Sequence, residues 1–360
     1  MKSKKVFYIL FGLIFISVFS MCFFTEHNFT ELNQKLIIQG IGVDYEKSEF
    51  KVTVQAPDFK NAEKEPTTQV IQVSGKTMME TSNKISEQTG LKPFYSQNLI
   101  LIVGKSAAEN GIDKFMDFFI HYDETRPNAT ICLCESTASE ALNFKKDDKT
   151  VTAQELKNLI NKKLKSDIIH FIGDIKNETS DAFLPCLKIN KDNIISENVA
   201  VFKDCKLIEI LNYENTLGFL LLKGIDNSNT FDIKVDNFRD VTFEIEKVSS
   251  NIRSEIKNNN PEFSIDLKIN VRTFEIDSNF LSENSEKIKE SVKEKLTKLT
   301  EISMSKILSL NCDVLGLGKI LLRKNTDYFK SIRESFKTKI KDFKTIINIK
   351  PNITEPWIFF

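Results

Sequence analysis

The sequence predicts an α+β protein of two mixed α/β modules, the second an antiparallel-rich sheet covered by one long amphipathic helix. Three patterns carry that expectation. Short apolar runs alternate with helical stripes between residues 35 and 140. Period-two alternation marks residues 263–274, and apolar side chains recur at three- and four-residue steps from Glu283 to Leu310. At 360 residues the chain exceeds one ordinary domain. With 41% hydrophobic and 28% charged residues it has the balance of a chain that folds. Fifty Lys and Arg against fifty Asp and Glu, interleaved along the sequence, leave no basic face for a phosphate backbone, so nucleic acid is not an expected partner.

In the first module, residues 35–44 read as a strand, and Phe50, Val52 and Val54 as its hairpin partner across Glu46-Lys47-Ser48. A third strand covers 69–73, followed by a helix over 76–88 that Gly90 stops. Residues 98–103, an apolar run too short for a buried helix, read as a central strand. Ile112, Met116, Phe119 and Ile120 form a helical stripe. Residues 129–134 give another strand, and Ser136-Thr137 with Glu140 opens a short helix by a capping-box pattern. Helices are expected on the sheet's one covered face. One helix, 153–164, follows. The polar stretch with Pro185 then suggests a linker or small bridging subdomain around 181–197.

The second module opens with strands 198–202 and 206–210 around the turn Lys203-Asp204-Cys205, then a helix over 213–223. Strands 230–235, 241–248 and 263–274 alternate, so one sheet face is wet and the other covered. The cover is the helix from Glu283 to Leu310, with Ile288, Val292, Leu296, Leu299, Ile302 or Ser303, and Ile307 inward. A helix over 326–341 and a strand over 345–349 close the module. The division is therefore 25–190, with room for a subdivision near 147, and 198–358.

Residues 1–24 are expected to be a signal sequence or membrane anchor. Lys2, Lys4 and Lys5 precede an apolar run from Val6 to Phe24, which suits either a cleaved leader or an uncleaved span of about 28 Å. Both place the body outside the cytoplasm. Cys22 stands where a bacterial lipoprotein would carry its lipid, although Met21 is large for the cleavage position. The remaining cysteines, Cys132, Cys134, Cys186, Cys205 and Cys312, are odd in number and scattered, which is no disulfide framework. Cys132 and Cys134 point to one face of a strand and read as small apolar packing.

No residue is nominated for catalysis, cofactor binding or metal ligation. Gly104-Lys105-Ser106 follows a strand as a phosphate loop does, but Leu99 stands where the first glycine of that motif is required. His27, His121 and His170 lack ligand spacing. Asp313-Val314-Leu315-Gly316-Leu317-Gly318 reads as a helix-helix corner in which the Asp313 side chain caps the next turn.

Four stretches together resemble the Ger(x)C family, the lipoprotein C subunits of spore germinant receptors. Thr30-Glu31-Leu32-Asn33 leads into Ile38-Gln39-Gly40-Ile41-Gly42-Val43-Asp44. Gly75-Lys76-Thr77, Phe94-Tyr95-Ser96, the strand to Gly104, and Arg126 follow in family order. Val199-Ala200-Val201-Phe202-Lys203 comes with Lys206-Leu207 and Leu217-Gly218. Asp313 to Gly318 precedes Tyr328-Phe329-Lys330. Departures are Gln97 where the family tends to carry His, His121-Tyr122-Asp123 in place of Arg-Asp, and Phe329 and Phe336 where Trp is usual. The resemblance implies a non-catalytic subunit on the outer face of the spore's inner membrane, with receptor A and B subunits and the lipid bilayer as partners. The alternative is a membrane-attached solute-binding protein that closes on a nutrient between its modules.

Overall fold

The computed structural model describes residues 34–58, 67–226, 228–235, 239–273, 280 and 283–354, together with residues 11, 12 and 17. Cys22 and nearly all of the 6–24 run lie outside the described residues. Among the described residues no helix is long and apolar enough to cross a membrane.

The first half contains β1 (Lys35–Ile37), β2 (Gly40–Glu46), β3 (Glu49–Asp58), β4 (Thr67–Gly75), α1 (Met78–Thr89), β5 (Lys92–Phe94), β6 (Ile100–Gly104), α2 (Lys105–Asn110) and α3 (Asp113–His121). Next come β7 (Thr130–Cys134), α4 (Ala138–Asn143), the two-residue strands β8 (Lys145–Lys146) and β9 (Lys149–Thr150), α5 (Ala153–Lys163), α6 (Ile168–Ile175) and β10 (Phe183–Ile189). The β2–β3 hairpin forms as expected, and Lys47 and Ser48 take positive φ at its two-residue turn. The strand expected over 35–44 is instead broken at Ile38 and Gln39. Lys35–Ile37 pairs parallel with β5, while β2 enters the main sheet.

That sheet runs β13-β12-β10-β7-β6-β2-β3-β4, with β11 (Ile194–Ile195) attached to β10. Its strands β2, β6, β7 and β10 are parallel neighbours, and parallel strands are apolar on both sides. Both faces are accordingly covered, which corrects the expectation of a single covered face. Ile41, Val43, Leu101, Val103, Ile131 and Leu133 face Phe115, Phe119, Ile168 and Phe171 from α3 and α6. Ile100, Ile102, Cys132, Cys134 and Leu187 face Leu142, Leu156 and Ile160 from α4 and α5. On α3 the inward side is Phe115, Met116 and Phe119, whereas Ile120 is 38% exposed.

The expected linker over 181–197 is corrected more sharply, because its first half holds the internal strand β10 and its second half the short strand β11. Phe183 to Pro185 register with β12, Cys186 and Leu187 with β7, and Lys188 and Ile189 with β11. The proline, which lacks an N–H to donate, falls where the strand changes neighbours. Strands β12 (Val199–Lys203) and β13 (Lys206–Leu211), expected to open a second module, therefore extend the first sheet.

After α7 (Tyr213–Lys223), the second sheet is β14 (Thr230–Val235), β15 (Arg239–Lys257), β16 (Asn260–Arg272) and, parallel to β16, β17 (Lys344–Thr354). Between them lie α8 (Ser285–Ser309), α9 (Leu317–Lys324), α10 (Thr326–Ile332) and α11 (Phe336–Lys339). The sheet has one covered face, as alternation predicts. Phe263, Ile265, Leu267, Ile269 and Val271 meet Ile288, Val292, Leu296, Leu299 and Ile307 of α8 in the largest core. Ser303 takes the inward position and donates to Asn215 O at 2.8 Å, leaving Ile302 39% exposed. The helix expected over 326–341 is two short helices joined by a 3-10 turn at Arg333–Ser335, with a second 3-10 turn at Ile340–Asp342 after them.

Candidate functional site

The motifs that set this sequence apart converge on two buried polar knots, and both are built from a carboxylate that accepts backbone N–H groups. In the first, Asp44 ends the run Gly40 to Asp44 on β2. Its Oδ1 accepts from Ala138 N at 2.8 Å and its Oδ2 from Ser139 N at 3.0 Å, at the start of α4. Helix starts expose such unpaired donors. Burial pushes the Asp44 carboxyl up, and the two backbone donors pull it down. Gly104 closes this knot from β6, since a Cβ there would sit 1.7 Å from Asp44 Oδ1. Ser106 Oγ accepts from Tyr45 N at 3.0 Å. Gly104-Lys105-Ser106 is thus a seat for Asp44 and not a phosphate cradle.

The second knot joins the two sheets. Asp313 is buried, and its oxygens accept from Leu317 N and Gly318 N, each at 2.7 Å. This is the cap expected from the sequence, and it starts α9 with Gly316 at φ 78°. Asp313 also pairs through its backbone with the loop before β10. Asp313 N donates to Asp181 Oδ2 at 2.7 Å, and Asp181 N to Asp313 O at 2.9 Å. Lys223, from the end of α7, donates to Val314 O at 2.8 Å and lies 5.4 Å from the Phe183 ring centroid. Lys203 Nζ, from β12, reaches Asn311 O at 2.8 Å. Loss of water pushes the Asp313 carboxyl up to about 6, against the two backbone donors, and Asp181 adds to the rise. Burial lowers Lys223, while Asp313 and Asp174 oppose the change.

The other groups do not join either knot. Burial raises the Cys132 and Cys186 thiols well above their ordinary value and raises Cys134 less, the opposite of what a thiolate nucleophile needs. His121 contacts Asp117 O and His170 contacts Asp167, in separate helices. Among the described residues no three His, Cys, Asp or Glu side chains are grouped to hold a metal. A cavity of about 660 Å³ lies beside the β8–β9 hairpin, lined by Thr67, Thr68, Lys146 and Glu155 among others. It does not lie at the junction of the sheets, where a nutrient-closing hinge would need it.

Sequence reasoning placed Asp313 correctly and left out Asp181, Lys223 and Asp44. Asp44 carries a visible signal: a lone acid at the end of an apolar, glycine-punctuated strand, where burial demands a partner. Asp181 and Lys223 carry none, because their partner is reached only through the fold.

Two family models cover the chain. A spore germination protein N-terminal domain matches residues 28–189, and a spore germination B3/GerAC-like C-terminal domain matches residues 197–356. The chain belongs to the Ger(x)C family of spore germination proteins. It is 18% identical over 349 residues to the putative spore germination protein YfkR of Bacillus subtilis (strain 168), covering 90% of each chain. It is 21% identical over 269 residues to the spore germination protein GerQC of Bacillus cereus, covering 70% of this chain and 74% of that one. The crystal structure of the GerBC protein shares the fold, with a TM-score of 0.59 at 16% identity over 87% of this chain and 96% of that one. Both knots of this Ger(x)C protein fall inside the matched domains. The junction knot lies across them, with Asp181 in the first and Asp313 in the second.

Proposed function

We propose that this Ger(x)C protein is the non-catalytic C subunit of a spore germinant receptor. It is held by its N-terminus on the outer face of the spore's inner membrane and acts with A and B subunits in nutrient-triggered germination. The observation that carries the reading is the pair of germination-domain matches that together span residues 28–356, apart from a short gap. The chemistry supports a docking role over turnover: Asp44 and Asp313 spend their oxygens on backbone donors, and the strand cysteines are buried. Tethering would concentrate the body at its partners without adding a contact.

Deleting the gene and following nutrient-triggered germination of the spores tests the role, and unchanged germination removes it. Co-purification with the products of neighbouring genes tests the A and B partnership. Attachment has its own test. Metabolic fatty-acid label that disappears with Cys22→Ala supports lipidation there, and label that survives the substitution ends that reading.

A further inference from the structure

The chain as a whole is neutral, but its closing segment is not. Residues 319–350 hold ten Lys and Arg against three Asp and Glu, a net charge of +7, so the even interleaving expected from the overall balance fails here. The fold gathers these charges at one end of the second sheet. There Tyr328 Oη donates to Asn259 O in the β15–β16 turn at 3.0 Å, and α9 lies against β15. The segment's apolar side chains, including Leu321, Phe329, Phe336 and Ile340, enter the core. Lys319, Arg323 and Lys324 on α9, Lys330 on α10, and Lys339 and Lys341 beyond are left exposed. Arg333 meets Glu178, and Lys344 meets Glu262 at 3.0 Å. The other six have no carboxylate within ion-pair distance among the described residues. Further along β17, Lys350 stands directly opposite Lys268, with Ser249 on the other side of Lys268 and Lys247 two register positions away, opposite Asn270. The Asn348 hydrogen bond, Arg253 and Lys350 together hold the Asp266 carboxyl low, so this rung is partly compensated, and the unmatched charge lies in the six side chains named above.

The chemistry that would satisfy this surface is an extended anionic plane. The charges are spread over three short helices and a strand, and do not converge on one point. Lysine outnumbers arginine eight to two, which suits diffuse attraction over the bidentate grip of a single phosphate. Phe329, Phe336 and Phe343 are buried, so they offer no platform for stacking bases. We propose that this basic closing segment docks on anionic lipid headgroups and so orients the body against the bilayer; the proposal rests on the membrane attachment argued above.

The test takes the full chain with vesicles of phosphatidylcholine alone and of phosphatidylcholine mixed with phosphatidylglycerol. It reads lysine acylation residue by residue through peptide mass mapping. Lys324, Lys330, Lys339 and Lys341 should label about tenfold more slowly on the anionic vesicles. The difference should vanish near about 1 M salt, where the screening length falls to about 3 Å. Lys293 and Lys298, exposed on α8, should label alike on both. The triple variant Lys324→Glu, Lys330→Glu, Lys341→Glu should still float with both vesicles and lose the difference at Lys339. Equal labelling on the two vesicle types overturns the proposal, even where the chain floats with neutral vesicles. A chain that does not float with neutral vesicles sinks the attachment reading instead, and the anionic difference remains measurable. Protection found only in membranes containing a partner protein, and not on vesicles, overturns the lipid assignment in favour of an acidic protein face.

Discussion

Replacing Asp313 by asparagine should flatten one part of the pH dependence of stability, and the size of the effect follows from where the carboxyl sits. Burial raises its pKa from 3.8 to about 6 in the folded protein. The folded state therefore holds the proton more tightly than the unfolded chain does. The stabilisation this contributes is complete below the unfolded value and is lost as pH rises through the folded one. A shift of about two units is worth about 3 kcal/mol. Asparagine cannot titrate, and its single amide oxygen can accept from only one of Leu317 N and Gly318 N cleanly, which costs a further pH-independent amount of about 1 kcal/mol. Urea unfolding of both proteins in matched buffers from about pH 4 to about pH 8, followed by circular dichroism, separates the two effects. The difference, wild type minus variant, should be largest at the acid end and shrink by about 2.4 kcal/mol across the range, since at about pH 4 the unfolded carboxyl is already partly ionised. Other carboxylates titrate in both proteins and cancel. A constant difference across the whole range would refute the claim that the folded carboxyl binds its proton unusually tightly.

Three further outcomes follow from the same geometry. Gly218→Ala places a Cβ 2.2 Å from Leu299 O on the backbone of α8; it should cost about 1–3 kcal/mol in urea unfolding, while Gly173→Ala, where nothing lies within 4 Å, should be neutral or slightly stabilising. Asp44→Ala and Gly104→Ala should each destabilise, but Gly104→Ala should cost less when Asp44 is already alanine, because the Asp44 oxygen is its nearest obstacle; a double-mutant coupling near zero, against the expected ~1–3 kcal/mol, would show that the two do not share one seat. Peptide mapping after maleimide treatment of the native chain should leave Cys132 and Cys186 unmodified, since both are fully buried with thiols pushed far up, and labelling of either without unfolding would contradict that burial.

Much of the fold was legible because local pattern and tertiary role agree. The α7 helix, β14, both residues of the β2–β3 turn and the inward face of α8 appear where periodicity puts them. The failures have physical causes. In β15 a register shift between Ile245 and Lys247 changes which residues face inward: Val241, Phe243 and Ile245 are buried before it and Val248 after it. Beyond Val248 the less exposed positions are shared between Ile252 and Ile256 and the polar Ser250 and Ser254, so the apolar alternation fades at 248, while the strand runs on to Lys257. In β10, three successive neighbours share seven residues, and Pro185 mimics a break. The short helices near the C-terminus escaped because their apolar residues face one core from several directions, which no single helical period describes. The knots were half visible: a cap such as Asp313 is local, whereas the Asp181 and Lys223 that complete it come from distant chain.

Where the knots sit also bears on how such a body could pass on a signal. The first sheet continues through β12 and β13 to α7, which packs on α8. The junction is then closed from the other side by Asp181, Asp313 and Lys223. Hinge closure between two lobes needs a few chain positions that absorb rotation with little buried contact crossing between them. Here rotation would break buried hydrogen bonds to charged groups, each worth more than an ordinary pair. In the receptor assembly proposed above, a change would therefore be expressed more readily as movement of the whole body than as bending within it, which places the informative substitutions on exposed surfaces such as the basic closing segment.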